Sequence, residues 1–133
     1  MSIELWCLYG AAVLALVHLT AASFSFKTQV TTAYSVGPRD EGIQPKGVAG
    51  RLERAQRNFL ETFSAFIAAV LMLTHLQGEG RLSEVGALLY LVGRIAFLPL
   101  YASGVAWLRT FSWNFATLGL VLVLAQVAVV ALR

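Results

Sequence analysis

The residues best suited to chemistry lie in one charged stretch of an otherwise apolar chain. Its polar members recur at i, i+3, i+4 and i+7, a spacing that places side chains on one face of a helix; they are Arg54, Arg57, Asn58 and Glu61. Two guanidiniums, one amide and one carboxylate on a single stripe favour recognition of a charged ligand, because the planar guanidinium fork suits carboxylates. The stripe therefore predicts a ligand-binding face.

The apolar sequence that follows this stripe indicates that it enters a membrane. An ionisable group inside a span costs about 2.5–3.5 kcal/mol, so we expect the stripe to face the interior of the helix bundle or a wet cavity. The alternative is that Arg54 and Arg57 extend to the membrane surface and that Glu61 only pairs with Arg57. Asn58 and Glu61 are too short to reach the surface, and Glu61 lies about 15 Å of helix rise beyond Arg51.

A second stripe at helical spacing joins Arg94, Phe97, Leu98 and Tyr101. Arg94 lies near the middle of its apolar segment and needs an anionic partner, which Glu61 is predicted to supply. Tyr101 offers a hydroxyl to a ligand, or it is an aromatic anchor at the membrane interface. The surplus of arginine over carboxylate favours an anionic ligand over a cation.

Two further places carry candidate site residues. Arg109 and Thr110 stand at the predicted connection before the last helix, where a cation and a hydroxyl would face the reactive group of a ligand; alternatively they are a cytoplasmic charge and a helix N-cap. Asp40, in a Gly-Pro-Arg-Asp turn, is a ligand-binding candidate or a turn-forming residue. His18 and His75 are predicted to lie near opposite membrane faces, so we expect no shared metal site.

The elements that position these residues follow from composition. The chain has 133 residues, of which 58% are hydrophobic and 13% charged, with a mean hydropathy of +0.71; soluble domains carry about a quarter charged residues. A membrane span needs about 20 mostly apolar residues. Four segments meet that length: Ile3–Phe26, Leu52–Leu76, Val85–Trp107 and Phe111–Leu132. They predict an all-α membrane protein, a four-transmembrane-helix bundle forming a single domain over residues 1–133.

The basic residues predict how the bundle is oriented. Lys27–Gly50 is the one long connection, and it is rich in Gly and Pro turn signals. Lys and Arg number five on its side of the membrane and two on the other, so the positive-inside rule places the first and third connections in the cytoplasm and both termini outside. The five are Lys27, Arg39, Lys46, Arg51 and Arg109, against Arg81 and Arg133.

The same composition sets limits on partners and redox chemistry. The net charge of +3 is modest and dispersed, so we expect no nucleic-acid partner. Cys7 is the only cysteine, which excludes an intrachain disulfide and a metal site built on several thiolates. The first four residues carry no Lys or Arg, so we expect the first apolar segment to be a retained helix and not a cleaved signal peptide.

The spacing Arg54-x-x-Arg57-Asn58-x-x-Glu61, early in the second of four spans, resembles the signature of the MAPEG family (membrane-associated proteins in eicosanoid and glutathione metabolism). The resemblance covers nearly the whole chain. It includes the long first loop, Arg94 and Tyr101 in the third span, and an Arg-hydroxyl pair before the fourth. The sequence is most similar to small bacterial members, and the resemblance thereby implies a bacterial inner-membrane protein.

The resemblance also implies a homotrimer that binds glutathione between subunits, near the cytoplasmic side. It assigns ligand binding to the helix stripe, the third-span residues and Asp40, and stabilisation of the glutathione thiolate to Arg109 and Thr110. Some family enzymes carry His where this chain has Phe97, and Ser where it has Thr110. The residues assigned to glutathione binding are Arg54, Arg57, Asn58, Glu61, Arg94, Tyr101 and Asp40.

The leading hypothesis is a glutathione-dependent membrane enzyme of the transferase or peroxidase type. Glutathione would be the cosubstrate, and the second substrate a lipophilic electrophile or lipid that arrives from the bilayer. Two alternatives stay open: a non-catalytic lipid- or glutathione-binding scaffold of the same fold, and a small transporter subunit that uses Glu61 as a coupling carboxylate. The sequence does not identify the electrophile.

Overall fold

The computed structural model describes residues 1–132, and Arg133, which entered the charge count, lies outside them. Over residues 1–132 the chain folds into four long helices and one short one, so the predicted all-α bundle is confirmed. They are α1 (Ile3–Lys27), α2 (Thr32–Val36), α3 (Gly47–His75), α4 (Arg81–Ser103) and α5 (Ala106–Ala131).

The four long helices are apolar enough and long enough to cross a membrane. Their most apolar windows have mean hydropathies of 1.8, 1.3, 1.7 and 2.1 in chain order. Large apolar side chains cover the outside of the bundle, among them Leu16, Val92 and Phe115. In lipid these residues need no burial against protein, and the protein is an integral membrane protein.

Inside the bundle, each helix contributes a stripe at helical spacing. On α1 this stripe consists of side chains one turn apart: Glu4, Cys7, Ala11, Leu14, His18 and Ala22. Aromatic rings fill the centre, where Phe66 of α3 stacks on Tyr90 of α4 with ring centres 4.0 Å apart. Dispersion contacts of this kind hold helices together where lipid removes the hydrophobic driving force.

Two glycines allow α4 and α5 to pack most extensively of all the helix pairs. A Cβ added at Gly119 would lie 2.5 Å from the backbone nitrogen of Tyr90, and one added at Gly86 would lie 2.6 Å from the carbonyl oxygen of Gly119. Backbone atoms of the two helices therefore touch directly, as small residues at membrane helix interfaces permit.

The predicted bounds of the last two spans were placed too far along the chain. The helices are separated by a turn at Gly104, which has φ of 79° and ends α4 with bonds from the Gly104 and Val105 amides to the carbonyls of Tyr101 and Leu100. Apolar residues such as Trp107 follow at once, so hydropathy alone does not mark this turn. A glycine accepts this left-handed conformation without steric cost.

The position of the turn corrects the prediction for Arg109 and Thr110. Both lie inside α5, whose N-cap is Val105, and not in a connection before it. The Thr110 hydroxyl donates to the Ala106 carbonyl oxygen at 3.0 Å, so Thr110 does not cap the helix.

The long first connection is also more ordered than its turn signals predict. It contains α2, capped by the Thr31 hydroxyl, and α3 begins at Gly47, before the predicted Leu52. Gln29 clamps the two ends of the loop, donating to the Lys46 carbonyl at 2.9 Å and accepting from the Lys46 amide at 3.0 Å.

Candidate functional site

A cavity of about 270 Å³ lies where the start of α3, the end of α4 and the start of α5 meet. Its lining residues are Asn58, Phe97, Tyr101, Arg109, Thr110 and Trp113. Four of them were predicted site residues from three different helices, so the fold brings them into one place. Phe97 belongs to the predicted stripe of the third span without a predicted role, and Trp113 was missed.

The turn at Gly104 brings the side chains of Tyr101 and Arg109 into contact. The guanidinium carbon of Arg109 lies 4.6 Å from the centre of the Tyr101 ring, within range of a cation–π interaction. Both side chains are only half-buried. The stacking fixes a positive charge at the wall of the cavity, where an anionic group of a ligand would meet it.

Thr110 lines the cavity, but its hydroxyl proton already forms a hydrogen bond within α5. Because the hydroxyl donates to Ala106, it offers lone pairs but no free proton in this rotamer. Donation to a ligand requires the hydroxyl proton to rotate about the Cβ–Oγ bond and give up its bond to Ala106.

Asn58 connects the cavity to a buried arginine. Arg94 is fully buried, and its Nη1 donates to Asn58 Oδ1 at 2.8 Å while its Nη2 donates to the Thr62 hydroxyl. The rings of Tyr90 and Phe97 lie 5.6 and 5.4 Å from the guanidinium carbon. Both hydrogen bonds go to neutral oxygens, so Glu61 is not the hydrogen-bonding partner that the sequence predicted for Arg94.

The rest of the α3 stripe does not face the bundle interior. Arg54, Arg57 and Glu61 are exposed on the surface of the protomer, whereas Ala55 and Phe59 are buried. The inner face of α3 is occupied by apolar residues in a different phase of the helix, which turns the charged stripe outwards. The expectation that these three side chains face the bundle interior is therefore wrong within the single chain, and none of them lines the cavity of about 270 Å³ or the one that the loop between α1 and α3 borders.

Asp40 lies in an exposed turn and does not line the cavity. Its loop instead folds over the end of α1 and the start of α3 and borders a second cavity of about 450 Å³, whose polar lining includes Lys27, Tyr34, Arg39, Glu53 and Gln56. No spacing or motif in the sequence pointed to this cavity. The Tyr34 hydroxyl, which accepts from the Ile43 amide at 2.8 Å, closes the loop on itself.

Arg51 ties the start of α3 to the end of α4. Its Nε donates to the Ala102 carbonyl oxygen at 2.8 Å, one of the carbonyls that a helix end leaves without an intrahelical partner. A cation at a helix C-terminus is also favoured by the helix dipole. This contact joins the start of α3 to the end of α4 one residue after Tyr101.

The comparisons with known proteins agree with the architecture. The model of one family, described as the MAPEG family, matches residues 3–129, nearly the whole chain. No curated protein matches the chain significantly.

Proposed function

Since this chain belongs to the MAPEG family, we propose that it is a glutathione-dependent membrane enzyme of the transferase or peroxidase type. Family membership supports a glutathione-related membrane function in general. The observation that carries the finer proposal is the meeting of Asn58, Tyr101 and Arg109 at one cavity. That cavity combines a fixed cation, an amide and a phenol hydroxyl, which together suit an anionic ligand with a reactive sulfur.

In the proposed reaction the positive charge of Arg109 faces the glutathione sulfur. A cation beside a thiol lowers its pKa, so the thiol proton passes to solvent and the thiolate remains. The thiolate then attacks the electrophilic atom of a lipophilic substrate, forming a carbon–sulfur bond while the leaving group departs with its electron pair. Tyr101 and, after rotation, Thr110 supply hydroxyl donors near the sulfur.

The proposal also gives the exposed part of the α3 stripe a role. Arg54, Arg57 and Glu61 carry charge on the protomer surface at the start of a membrane helix, where exposure to lipid is costly. In a homotrimer these side chains would face a neighbouring subunit and a shared glutathione, whose charged ends they would hold. A monomer by light scattering in mild detergent, with glutathione binding intact, would overturn this assembly.

We further propose that the loop between α1 and α3 is cytoplasmic in a bacterial inner membrane, because the positive charges lie on its side. A cysteine introduced at Pro45 should resist a membrane-impermeant thiol reagent applied to intact cells. A cysteine at Gln77, in the exposed turn between α3 and α4, should react. Reaction at residue 45 and protection at residue 77 would reverse the orientation.

The decisive test of the function uses the purified wild-type protein in detergent. Glutathione should raise its unfolding temperature, produce thiolate ultraviolet absorbance at neutral pH, and react with a model aryl halide faster than in buffer. S-methylglutathione is the matched control, because it keeps the peptide contacts but cannot form the thiolate absorbance. If glutathione gives none of the three signals, the proposal fails.

One observation favours a second candidate, a glutathione-binding scaffold without catalysis. The hydroxyl proton of Thr110 is held by Ala106, which leaves fewer free donors at the sulfur position. A scaffold would show the thermal shift but neither thiolate absorbance nor turnover, so the same experiment separates the two functions.

A further inference from the structure

Arg94 stands directly behind the cavity without lining it. It is fully buried in the middle of α4, and its contacts reach the cavity only through the neighbouring residues Asn58 and Phe97. A buried charge is costly unless its donors are satisfied. Its contact with Asn58 determines how the amide group of Asn58 is oriented beside the cavity.

The donor and acceptor chemistry of the contact fixes the orientation of the Asn58 amide. A guanidinium has five N–H donors and no acceptor, so the Asn58 atom that Nη1 meets at 2.8 Å must be the oxygen. The amide nitrogen of Asn58 then points away from Arg94. Without Arg94, the two ends of the amide group are nearly equal in size and either end can face the cavity.

The second arm of the guanidinium prevents Arg94 from following a flipped amide. Nη2 donates to the Thr62 hydroxyl, which lies one turn of α3 beyond Asn58 and 3.2 Å from the Tyr90 hydroxyl. The planar fork of arginine thus spans two residues of α3 at once, a geometry that a lysine ammonium does not reproduce.

We propose that Arg94 is a positioning residue that holds the Asn58 amide with its N–H donors towards the cavity, where they bind a carboxylate or carbonyl oxygen of the ligand. This inference rests on the proposed function and deepens it, since Asn58 and Arg109 would both face acceptor groups of glutathione. Arg94 then contributes to affinity through Asn58 and not through direct contact.

A double-mutant cycle on glutathione binding tests the proposal. Arg94→Gln should weaken binding roughly ten- to a hundredfold, the value of one charge-assisted hydrogen bond. In an Asn58→Ala background the same substitution should change Kd less than about twofold, because there is no amide left to orient. Equal losses in the two backgrounds would overturn the proposal and assign Arg94 a direct electrostatic effect.

Arg94→Lys separates orientation from charge. The lysine keeps the positive charge but loses the fork, so we expect its Kd to resemble that of Arg94→Gln; recovery to the wild-type Kd contradicts the proposal. Thermal unfolding without ligand identifies any variant that fails to fold. If wild-type protein binds no glutathione, the proposed function fails and this assignment with it, whereas wild-type binding with additive losses overturns this assignment alone.

A spectroscopic measurement on the wild-type protein needs no substitution at Arg94. Asn58 and Asn114 are the only asparagines in the chain, so selective ¹⁵N labelling gives two side-chain amide signals, which an Asn114→Ser variant assigns. Glutathione should shift the Asn58 NH₂ signals and leave those of Asn114, which donates to the Thr110 carbonyl, much less affected. Unchanged Asn58 signals at saturating glutathione would overturn the proposal even if every Arg94 variant failed to fold.

Discussion

Two polar clusters lie in different parts of the bundle, one beside the middle of α4 and one at its start, and they use buried charge differently. The open cluster consists of Arg94, Asn58 and Thr62, and it borders the cavity. The closed cluster consists of Glu4, Ser83 and Gly80. Glu4 and Ser83 are as deeply buried as Arg94, but neither lines either of the two cavities.

The closed cluster forms its hydrogen bonds within the fold. The Ser83 hydroxyl donates to the Glu4 carboxylate and accepts from the Gly80 amide at 3.0 Å, which joins the starts of α1 and α4. Nearby, Gln126 Nε2 of α5 donates to the Gly78 carbonyl at 2.9 Å. In the open cluster, by contrast, Asn58 uses its oxygen on Arg94 and, in our proposal, turns its nitrogen to the cavity. The comparison indicates that a free donor beside a cavity, and not buried charge as such, is what marks a candidate binding site.

The largest effect is expected from a substitution that displaces α4, the helix that both clusters share. Gly119→Ala places a Cβ 2.5 Å from the Tyr90 backbone nitrogen, and neither helix backbone can yield without separating α4 from α5. We expect a loss of about 2–3 kcal/mol in unfolding free energy, measured by denaturant titration in detergent without ligand. The matched control is Gly10→Ala, whose Cβ meets only the flexible Leu91 side chain at 3.0 Å. Equal tolerance of both substitutions would contradict the close packing.

The next largest effect is expected on turnover at the cavity that the open cluster borders. Arg109→Ala removes the charge that we propose stabilises the thiolate, and a charge-assisted hydrogen bond of about 1.5–3 kcal/mol corresponds to a roughly ten- to hundredfold loss of kcat. The thiolate absorbance of the glutathione complex should fade in parallel.

Arg81→Ala is the control for Arg109→Ala, since it removes an equal charge from the exposed start of α4, at the end of the closed cluster. Its kcat should stay within about twofold of the wild type. If Arg109→Ala keeps full turnover and full absorbance, Arg109 serves only as a topology-determining charge, and thiolate stabilisation is reassigned to Tyr101 or Thr110 or is abandoned.

The sequence predicted the four spans well because an apolar run of this length is rare outside a membrane-spanning helix. It misplaced the turn between α4 and α5 because Val105, Trp107 and Leu108 carry the apolar signal across it. Ser103-Gly104 was the available sign of a helix end, and the left-handed φ of Gly104 confirms it.

The sequence predicted which residues belong to the candidate site better than it predicted which of them contact one another. Asn58 and Tyr101 were identified from their residue types and their spacing, which resembles that of the family. Trp113 was missed because an aromatic side chain in an apolar span looks like a lipid-facing residue. Its position one turn after Arg109 was the signal that could have found it. The choice between Glu61 and Asn58 as the partner of Arg94 depends on how α3 is rotated, which its apolar residues determine.

Substitutions in the exposed α3 stripe should have a smaller effect than the substitution of Arg109 at the cavity. Arg57→Ala and Glu61→Ala should each raise the KM for glutathione roughly two- to tenfold, the value of a net hydrogen bond of about 0.5–1.5 kcal/mol, with kcat nearly unchanged. Both groups would hold ends of the ligand that do not react, so their interactions are equal in the ground and transition states.

The exposed Gln77 provides the comparison for these two variants, because Gln77→Ala alters a polar surface residue far from the cavity. Steady-state kinetics at saturating and limiting glutathione give KM and kcat separately. A fall in kcat with KM unchanged in either stripe variant would place that residue at the reacting atoms instead.

The smallest effect should come from Glu4→Gln in the closed cluster. The amide keeps an oxygen that accepts from the Ser83 hydroxyl, and its nitrogen replaces the carboxylate oxygen Oε2, which has no hydrogen-bond partner among the described residues. We expect the unfolding free energy to change by no more than about 1.5 kcal/mol, the net value of one hydrogen bond. Glutathione affinity and kcat should stay within about twofold of wild type, because the cluster contributes no donor to the cavity. A loss of affinity comparable to that of Arg57→Ala, in a variant with normal stability, would mean that the two clusters are coupled and that the distinction between an open and a closed cluster does not hold.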